Sequence, residues 1–171
     1  MIFVSLGTHP QPFNRLVHEI ARLVESGKLK GKIVVQRGYT NFTHPKMDVR
    51  DFISIEEFEK LVKEAAVFIT HAGEGNIGTA LQYHAPLVIV PRQKKFGEHT
   101  DDHQLELAHA AEEKEFGYVV YDVKDLDAKI QQTHREKKFR LQGFFIPALN
   151  HIARQHGLSI PNPKNTRSSV P

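Results

Sequence analysis

The sequence predicts an α/β fold: an open parallel sheet of about six strands with helices on both faces. Three observations carry this reading. The apolar runs are short, continuous and rich in β-branched residues, as in strands buried on both sides. Segments with helical spacing alternate with those runs, the order that builds parallel sheets through crossover helices. Two of the runs end in glycine-containing turns that open the next helix, the pattern of Rossmann-like sheets.

The elements follow in order. Residues 1–6 form the first strand. Phe13, Leu16, Val17, Ile20, Leu23 and Val24 then share one helical face, which stops at Ser26 and Gly27. Residues 32–36 read as the second strand and 47–52 as a weaker third. Ile55, Phe58, Leu61 and Val62 mark the helix before the fourth strand, residues 66–70. A helix over 74–84 leads to the fifth strand, 87–90, and one over 101–114 leads to the sixth, 118–121. Further on, residues 141–156 carry an apolar stripe of Leu141, Phe144, Phe145, Ala148, Leu149 and Ile152. It suits either a final helix on the domain's own sheet or a contact with a partner. Residues 159–171 combine Pro, Asn, Ser and Lys and are expected to be a disordered tail. The expected organisation is one domain over 1–158, followed by that tail.

A chain of 171 residues suits one hydrophobic core. Its 23 Lys and Arg against 20 Asp and Glu leave a formal charge of +3, too mild a bias for a dedicated nucleic-acid binder. Such a bias suits an anionic ligand or a position near anionic lipid. The absence of cysteine excludes disulfides and thiolate metal sites. The first residues lack the basic and apolar segments of an export signal, and no apolar run is long enough to span a membrane. The expected location is cytoplasmic, with any membrane attachment peripheral and through a partner.

In an open α/β sheet, ligands sit beyond the carboxyl ends of the strands. Three of these ends are chemically unusual here. The first strand runs into Gly7, Thr8, His9 and Pro10, and the fourth into His71, Ala72, Gly73, Glu74, Gly75 and Asn76. Gly73 and Gly75 let the backbone turn and approach a ligand closely, while the helix behind aims free N–H groups at it, an arrangement suited to phosphate. His71 and Asn76 add side-chain donors, although a glycine pair alone also occurs in doubly wound folds without a ligand. The fifth strand leads through Arg92, Lys94 and Lys95 to the cluster Glu98, His99, Asp101, Asp102, His103 and Gln104. The three cations lend positive potential to an anionic ligand or simply line a solvated loop. The cluster matches no metal-ligand spacing; it suits hydrogen bonding to sugar hydroxyls, or a helix start capped by Asp101 or Asp102. Neither a P-loop nor a dinucleotide fingerprint is present.

The stretch His71-Ala-Gly-Glu-Gly-Asn-Ile-Gly-Thr-Ala-Leu81, with Pro86-Leu-Val-Ile-Val-Pro-Arg92 and Gly97-Glu-His-Thr-Asp-Asp-His-Gln-Leu-Glu-Leu107, resembles the C-terminal domain of glycosyltransferase family 28. The opening Val4-Ser-Leu-Gly-Thr-His-Pro-Gln-Pro-Phe-Asn-Arg-Leu16 is similar to the start of its stand-alone members. Those include catalytic subunits of two-subunit UDP-sugar transferases, both eukaryotic UDP-GlcNAc enzymes and bacterial exopolysaccharide or capsule enzymes. The resemblance covers about residues 1–155. It implies the donor lobe of an inverting GT-B enzyme that uses a UDP-sugar as co-substrate, with no cofactor and no required metal.

By the same resemblance, His71, Gly73, Gly75 and Asn76 correspond to the loop that holds the diphosphate, with Ala72 and Glu74 as further candidates within that loop, and Gly7 and Thr8 correspond to the first-strand loop facing it. Phe52 and Ile53 correspond to the loop that meets uracil, and His103 and Gln104 to the pair near the sugar and ribose, with Asp102 a further candidate beside them. Arg92 would face the same anionic ligand. Many wider-family members carry a ribose-binding Glu eight residues after the motif histidine. This chain has Thr79 there, which can make one such hydrogen bond and places it nearer the bacterial two-subunit enzymes. His9 and Glu98 are candidate catalytic bases by strand-end placement, unless the partner supplies the base. The implied partners are a UDP-sugar, a lipid-linked sugar acceptor and a membrane-anchored acceptor-binding subunit reached through 141–156. Nucleic acid is not expected. The alternative is a non-catalytic nucleotide-sugar-binding subunit that stabilises or regulates a separate transferase.

Overall fold

The computed structural model describes residues 1–140. Its six-stranded sheet is parallel throughout, in the order β3-β2-β1-β4-β5-β6. The strands are β1 Ile2–Ser5, β2 Ile33–Gln36, β3 Asp48–Arg50, β4 Val67–Thr70, β5 Leu87–Ile89 and β6 Tyr118–Val119. The helices are α1 Asn14–Glu25, α2 Ile55–Glu64, α3 Glu74–Gln82, α4 His103–Glu113 and α5 Leu126–Arg140. The fold class expected from sequence is the fold observed. Helix α5 was not anticipated. Its sequence signal was Leu126, Ile130 and Thr133, which are buried at helical spacing in an otherwise charged stretch. The expected stripe over 141–156, the boundary at 158 and the tail over 159–171 lie outside the described residues.

Strand periodicity divides the core between two faces. Ile2, Val4, Val35, Val67 and Ile69 point toward α1 and α5, packing with Leu16, Ile20, Leu23, Leu126 and Ile130. Phe3, Val34, Phe68 and Ile89 point the other way, against Leu61 and Val62 of α2, Ile77 and Ala80 of α3, and Ala108 and Ala111 of α4. On that face Phe3 stacks on Phe68 at 5.1 Å between centroids, and Phe58 meets the pair edge-on at 5.4 and 5.8 Å. Burying an aromatic side chain of this size is worth about 2 kcal/mol, so this trio anchors α2 over the middle of the sheet. Ile55, expected on the apolar face of α2, is instead 75% exposed. It occupies the first turn of α2 and lines the crevice described below.

The strand order reverses between β1 and β4, which is where an open α/β sheet forms its crevice. The same periodicity brings Ser5, Gln36 and Thr70 onto the α2–α3 face, each as the last residue of its strand. They are also in register, Ser5 with Gln36 on one side and with Thr70 on the other. Three apolar strands therefore end in one row of buried polar side chains.

Candidate functional site

The polar row is tied together from above. Thr70 Oγ1 donates to the Ser5 carbonyl at 3.1 Å, and the Asn76 amide nitrogen donates to Thr70 Oγ1 at 2.7 Å and to Ser5 Oγ at 3.1 Å. Asn76 lies in the first turn of α3, so these bonds fix where that helix begins. The N-terminus of α3 has no side-chain cap, whereas Ser54 caps α2 by accepting from the Glu57 N–H. The first N–H groups of α3 are thus left for a guest, at the positive end of the helix dipole.

His71 stands between the two glycine turns. A Cβ built on Gly7 would lie 2.5 Å from His71 Cε1, and one on Gly73 would overlap His71 Nε2. The sequence explains these glycines by the approach of a ligand; the structure adds that each makes room for the imidazole. Gly7 also has φ +77, a left-handed conformation that suits glycine. His71 Nδ1 lies 3.3 Å from Thr70 Oγ1 and 3.5 Å from the Asn76 amide nitrogen, which leaves Nε2 for a ligand. Burial, reinforced by Arg92, His9 and His99, pushes the His71 pKa down to about 3, so the ring is neutral at pH 7.

A crevice of about 360 Å³ opens over this arrangement. Among the residues expected at the site it brings together Gly7, Thr8, Ile53, His71, Gly73, Gly75, Asn76 and Thr79. It adds residues that sequence reasoning missed: Ser5, Gln36, Ser54, Phe58 and Glu59. The missed signal was the lone polar residue closing each of the runs IFVS, IVVQ and VFIT. Phe52 is half exposed and pairs edge-on with Tyr39 at 5.2 Å, and it is not among the residues lining the crevice. The Thr79 hydroxyl donates back to the Gly75 carbonyl at 2.9 Å, leaving only its lone pairs for a ligand. Ala72 is buried in the core and does not line the crevice, and Glu74 is exposed at the start of α3.

Beside the crevice lies a second polar network, and several expected site residues belong to it. Glu98 is 2% exposed. Its carboxylate accepts two bonds from Arg15 at 2.9 Å each, plus the Gln93 N–H at 3.1 Å. Expected as a candidate base, Glu98 has its lone pairs engaged here by the part-buried Arg15 and a loop amide. Arg92 is engaged likewise. It is 1% exposed and donates to the carbonyls of Leu6, Gln11 and Glu98 at 2.7, 2.7 and 2.9 Å, with its guanidinium over Phe13 at 4.7 Å. Burial lowers its pKa to about 10, so it stays charged. It holds the loop after β1 in place and does not line the crevice. Gln104 Oε1 accepts the Arg92 N–H at 3.0 Å, fixing the exit of β5 to the start of α4. Asp101 accepts the His103 N–H at 3.0 Å, while Asp102 accepts that of Lys94 at 3.0 Å. The His103 side chain is exposed beside Glu106.

His9, the other expected base, stacks on His99 at 4.2 Å between centroids. Its Nδ1 is buried without a partner, and burial, with His99 and Arg92, lowers its pKa below the usual histidine value. Among the described residues, no three His, Asp or Glu side chains converge as metal ligands. None of the described helices is long and apolar enough to cross a membrane.

Residues 1–143 match the glycosyltransferase family 28 C-terminal domain, and the chain belongs to that family. A UDP-N-acetylglucosamine transferase subunit ALG13 from Cryptococcus neoformans var. neoformans serotype D is 42% identical over 78 residues, 44% of this chain and 36% of the relative. The glycotransferase of kitacinnamycin superposes with TM-score 0.52 at 20% identity, over 92% of this chain and 43% of that one. Glycosyltransferase VinC in complex with DTDP gives 0.51 at 19%, over 94% and 38%. MurG of Acinetobacter baumannii gives 0.50 at 16%, over 91% and 45%. These structures share the fold, and the chain spans less than half the length of each.

Proposed function

We propose that the chain is the donor-binding catalytic part of an inverting UDP-sugar glycosyltransferase. It transfers a hexose, HexNAc or uronic acid to a lipid-linked sugar, together with a membrane-anchored subunit that carries the acceptor lobe. The observation that carries this reading is the uncapped N-terminus of α3, which opens on the same crevice as the Gly7 turn and neutral His71. Preorganised N–H groups aimed at a diphosphate bind it and stabilise the charge that develops as it leaves. The acceptor oxygen forms a bond to the anomeric carbon as the bond from that carbon to the phosphate oxygen breaks, and UDP departs with the electron pair. A base takes the acceptor proton. The candidates are His9, on the loop after β1, and Glu98, whose carboxylate is already engaged by Arg15. No metal is assigned a role, because the α3 N-terminus and His71 supply the stabilisation that a cation would otherwise give.

One lobe offers one wall of a bisubstrate cleft, and transfer needs both substrates held in one geometry. The acceptor wall is therefore assigned to the partner, which would hold this chain peripherally at the cytoplasmic face of a membrane. The apolar stripe over 141–156 is the proposed contact, and Phe145→Asp should abolish co-purification with the partner. The test of function is UDP binding, followed by turnover of UDP-glucose, UDP-galactose, UDP-GlcNAc and UDP-glucuronate with and without the partner. Failure to bind UDP overturns the reading. UDP binding without turnover under any partnered condition selects the alternative, a non-catalytic binding subunit, which the engaged Glu98 carboxylate favours.

A further inference from the structure

The loop that follows β5 is buried at both ends and exposed in the middle. Pro91, Arg92, Gln93 and Glu98 are enclosed, whereas Lys94, Lys95, Phe96 and Gly97 all face water. The exposed residues make one short 3-10 turn, Lys94–Phe96, closed by Gly97 at φ +69. Its base is fixed from several directions. The Gln93 N–H donates to the Glu98 carboxylate at 3.1 Å, and the Gln93 side-chain amide to the Tyr121 carbonyl at 3.0 Å. The Lys94 N–H donates to Asp102 Oδ1 at 3.0 Å, and the Gly97 N–H closes the turn on the Lys94 carbonyl at 2.9 Å. A protrusion held this firmly presents the same side chains to water throughout, and one of them is a phenyl ring, 52% exposed.

Cations accompany that ring. The Arg15 guanidinium and the Lys95 ammonium each stand 4.9 Å from its centroid. The neighbouring carboxylates are tied to the base of the turn instead. Glu98 is enclosed against Arg15, while Asp102 and Asp101 accept the backbone N–H groups of Lys94 and His103. The outermost groups are therefore aromatic and cationic. A bilayer surface with anionic headgroups complements this pair of properties: the ring leaves water among the headgroups, and the long lysine side chains reach lipid phosphates. We propose that the Lys94–Gly97 turn is a direct contact of this chain with an anionic lipid surface, made by Phe96, Lys94 and Lys95. The contact does not depend on the UDP-binding reading, and it adds to the partner a hold on the membrane made by the chain itself. It follows the carboxyl end of β5, on the edge of the sheet where the crevice opens.

The chain has no tryptophan, so Phe96→Trp installs a single fluorescent reporter at the tip. The full chain is sedimented at physiological salt with vesicles of mixed phosphatidylcholine and phosphatidylglycerol, and with vesicles of phosphatidylcholine alone. Parent and Phe96→Trp should partition onto the mixed vesicles and much less onto the neutral ones. The new indole should shift its emission to the blue and be quenched by brominated acyl chains. Lys94→Ser combined with Lys95→Ser should weaken partition roughly twentyfold, since each lysine at an anionic surface contributes about fivefold. Phe96→Ser should weaken it roughly tenfold, by loss of the buried ring. Lys60→Ser combined with Lys63→Ser removes the same charge from the exposed face of α2 and should leave partition nearly unchanged. Equal losses in the two lysine pairs reduce the attraction to net charge and overturn the proposal. A reporter that stays in water while the chain sediments places the contact elsewhere and overturns it as well. So does a parent chain that sediments with neutral vesicles just as strongly, or with neither kind. UDP binding is a separate measurement that none of these results alters.

Discussion

Gly7 and His71 are matched in shape: the left-handed turn after β1 closes over the imidazole that ends β4, with no space between them for a methyl group. Gly73 closes on the same ring from its own loop. The two turns therefore meet through His71, and their relative position depends on it. Gly7→Ala combines unfavourable backbone geometry with overlap and should destabilise the chain by about 2 kcal/mol. Gly75 differs, since a Cβ there meets nothing within 4 Å. Gly75→Ala should keep or raise stability by a few tenths of a kcal/mol, as a helix position gaining a better former. If phosphate approaches that backbone, UDP affinity should nevertheless fall. Urea denaturation and UDP titration of both variants check the pair, and a stable Gly7→Ala protein would contradict the packing argument.

Replacement of Gly73 by Asp places bulk against His71 and negative charge at the start of α3. UDP binding should fall at least about tenfold by charge repulsion at the helix terminus. Calorimetry that shows parental affinity would move the phosphate site elsewhere.

The depressed pKa of His71 makes stability pH-dependent. The unfolded ring, near 6.5, binds a proton that the folded ring refuses until about pH 3. Between those values the unfolded state binds more protons, so stability rises with pH. This contribution is fully present above the unfolded pKa and is lost as pH falls from about 6.5 toward 3. His9, also lowered, acts in the same direction. His71→Asn should flatten the decline, with about 3 kcal/mol less lost between pH 7 and pH 4 than in the parent. Urea midpoints at the two pH values test this; parallel declines would refute it.

Glu98→Gln separates a structural carboxylate from a catalytic one. Its oxygens are matched to Arg15 and to a loop amide, close to the buried Arg92. Removing the charge leaves buried guanidinium groups without their counter-ion and should cost about 3 kcal/mol. A drop in melting temperature is the expected outcome. Full stability with abolished turnover would restore Glu98 as a base.

Metal independence is the outcome expected from the donor set around α3. UDP affinity, and turnover with the partner, should be the same in chelator and in millimolar magnesium. Activity that vanishes in chelator and returns with magnesium or manganese would assign the diphosphate charge to a cation, and Glu98 to His103 would be examined as its ligands.

Much of this protein was determined by the sequence alone. Runs such as IFVS, IVVQ and VFIT are apolar in a way that only a strand covered on both faces accommodates, and helical spacing separates them. Those local patterns define the parallel sheet, and the glycines after β1 and β4 mark the edge on which the crevice opens. The motif around His71 also names the family. Tertiary structure alone decided which polar residues face the crevice and which support it. Arg92 and Glu98 look like site residues in a linear reading, yet both are enclosed with Arg15 behind the first loop. Gln36 and Glu59 look like ordinary strand and helix residues, yet the reversal of strand order and the α2–α3 packing bring them to the site. The physical reason is that periodicity sets the face a side chain occupies, which is local. The groups that satisfy or desolvate it come from segments tens of residues away, and only the folded chain brings them together.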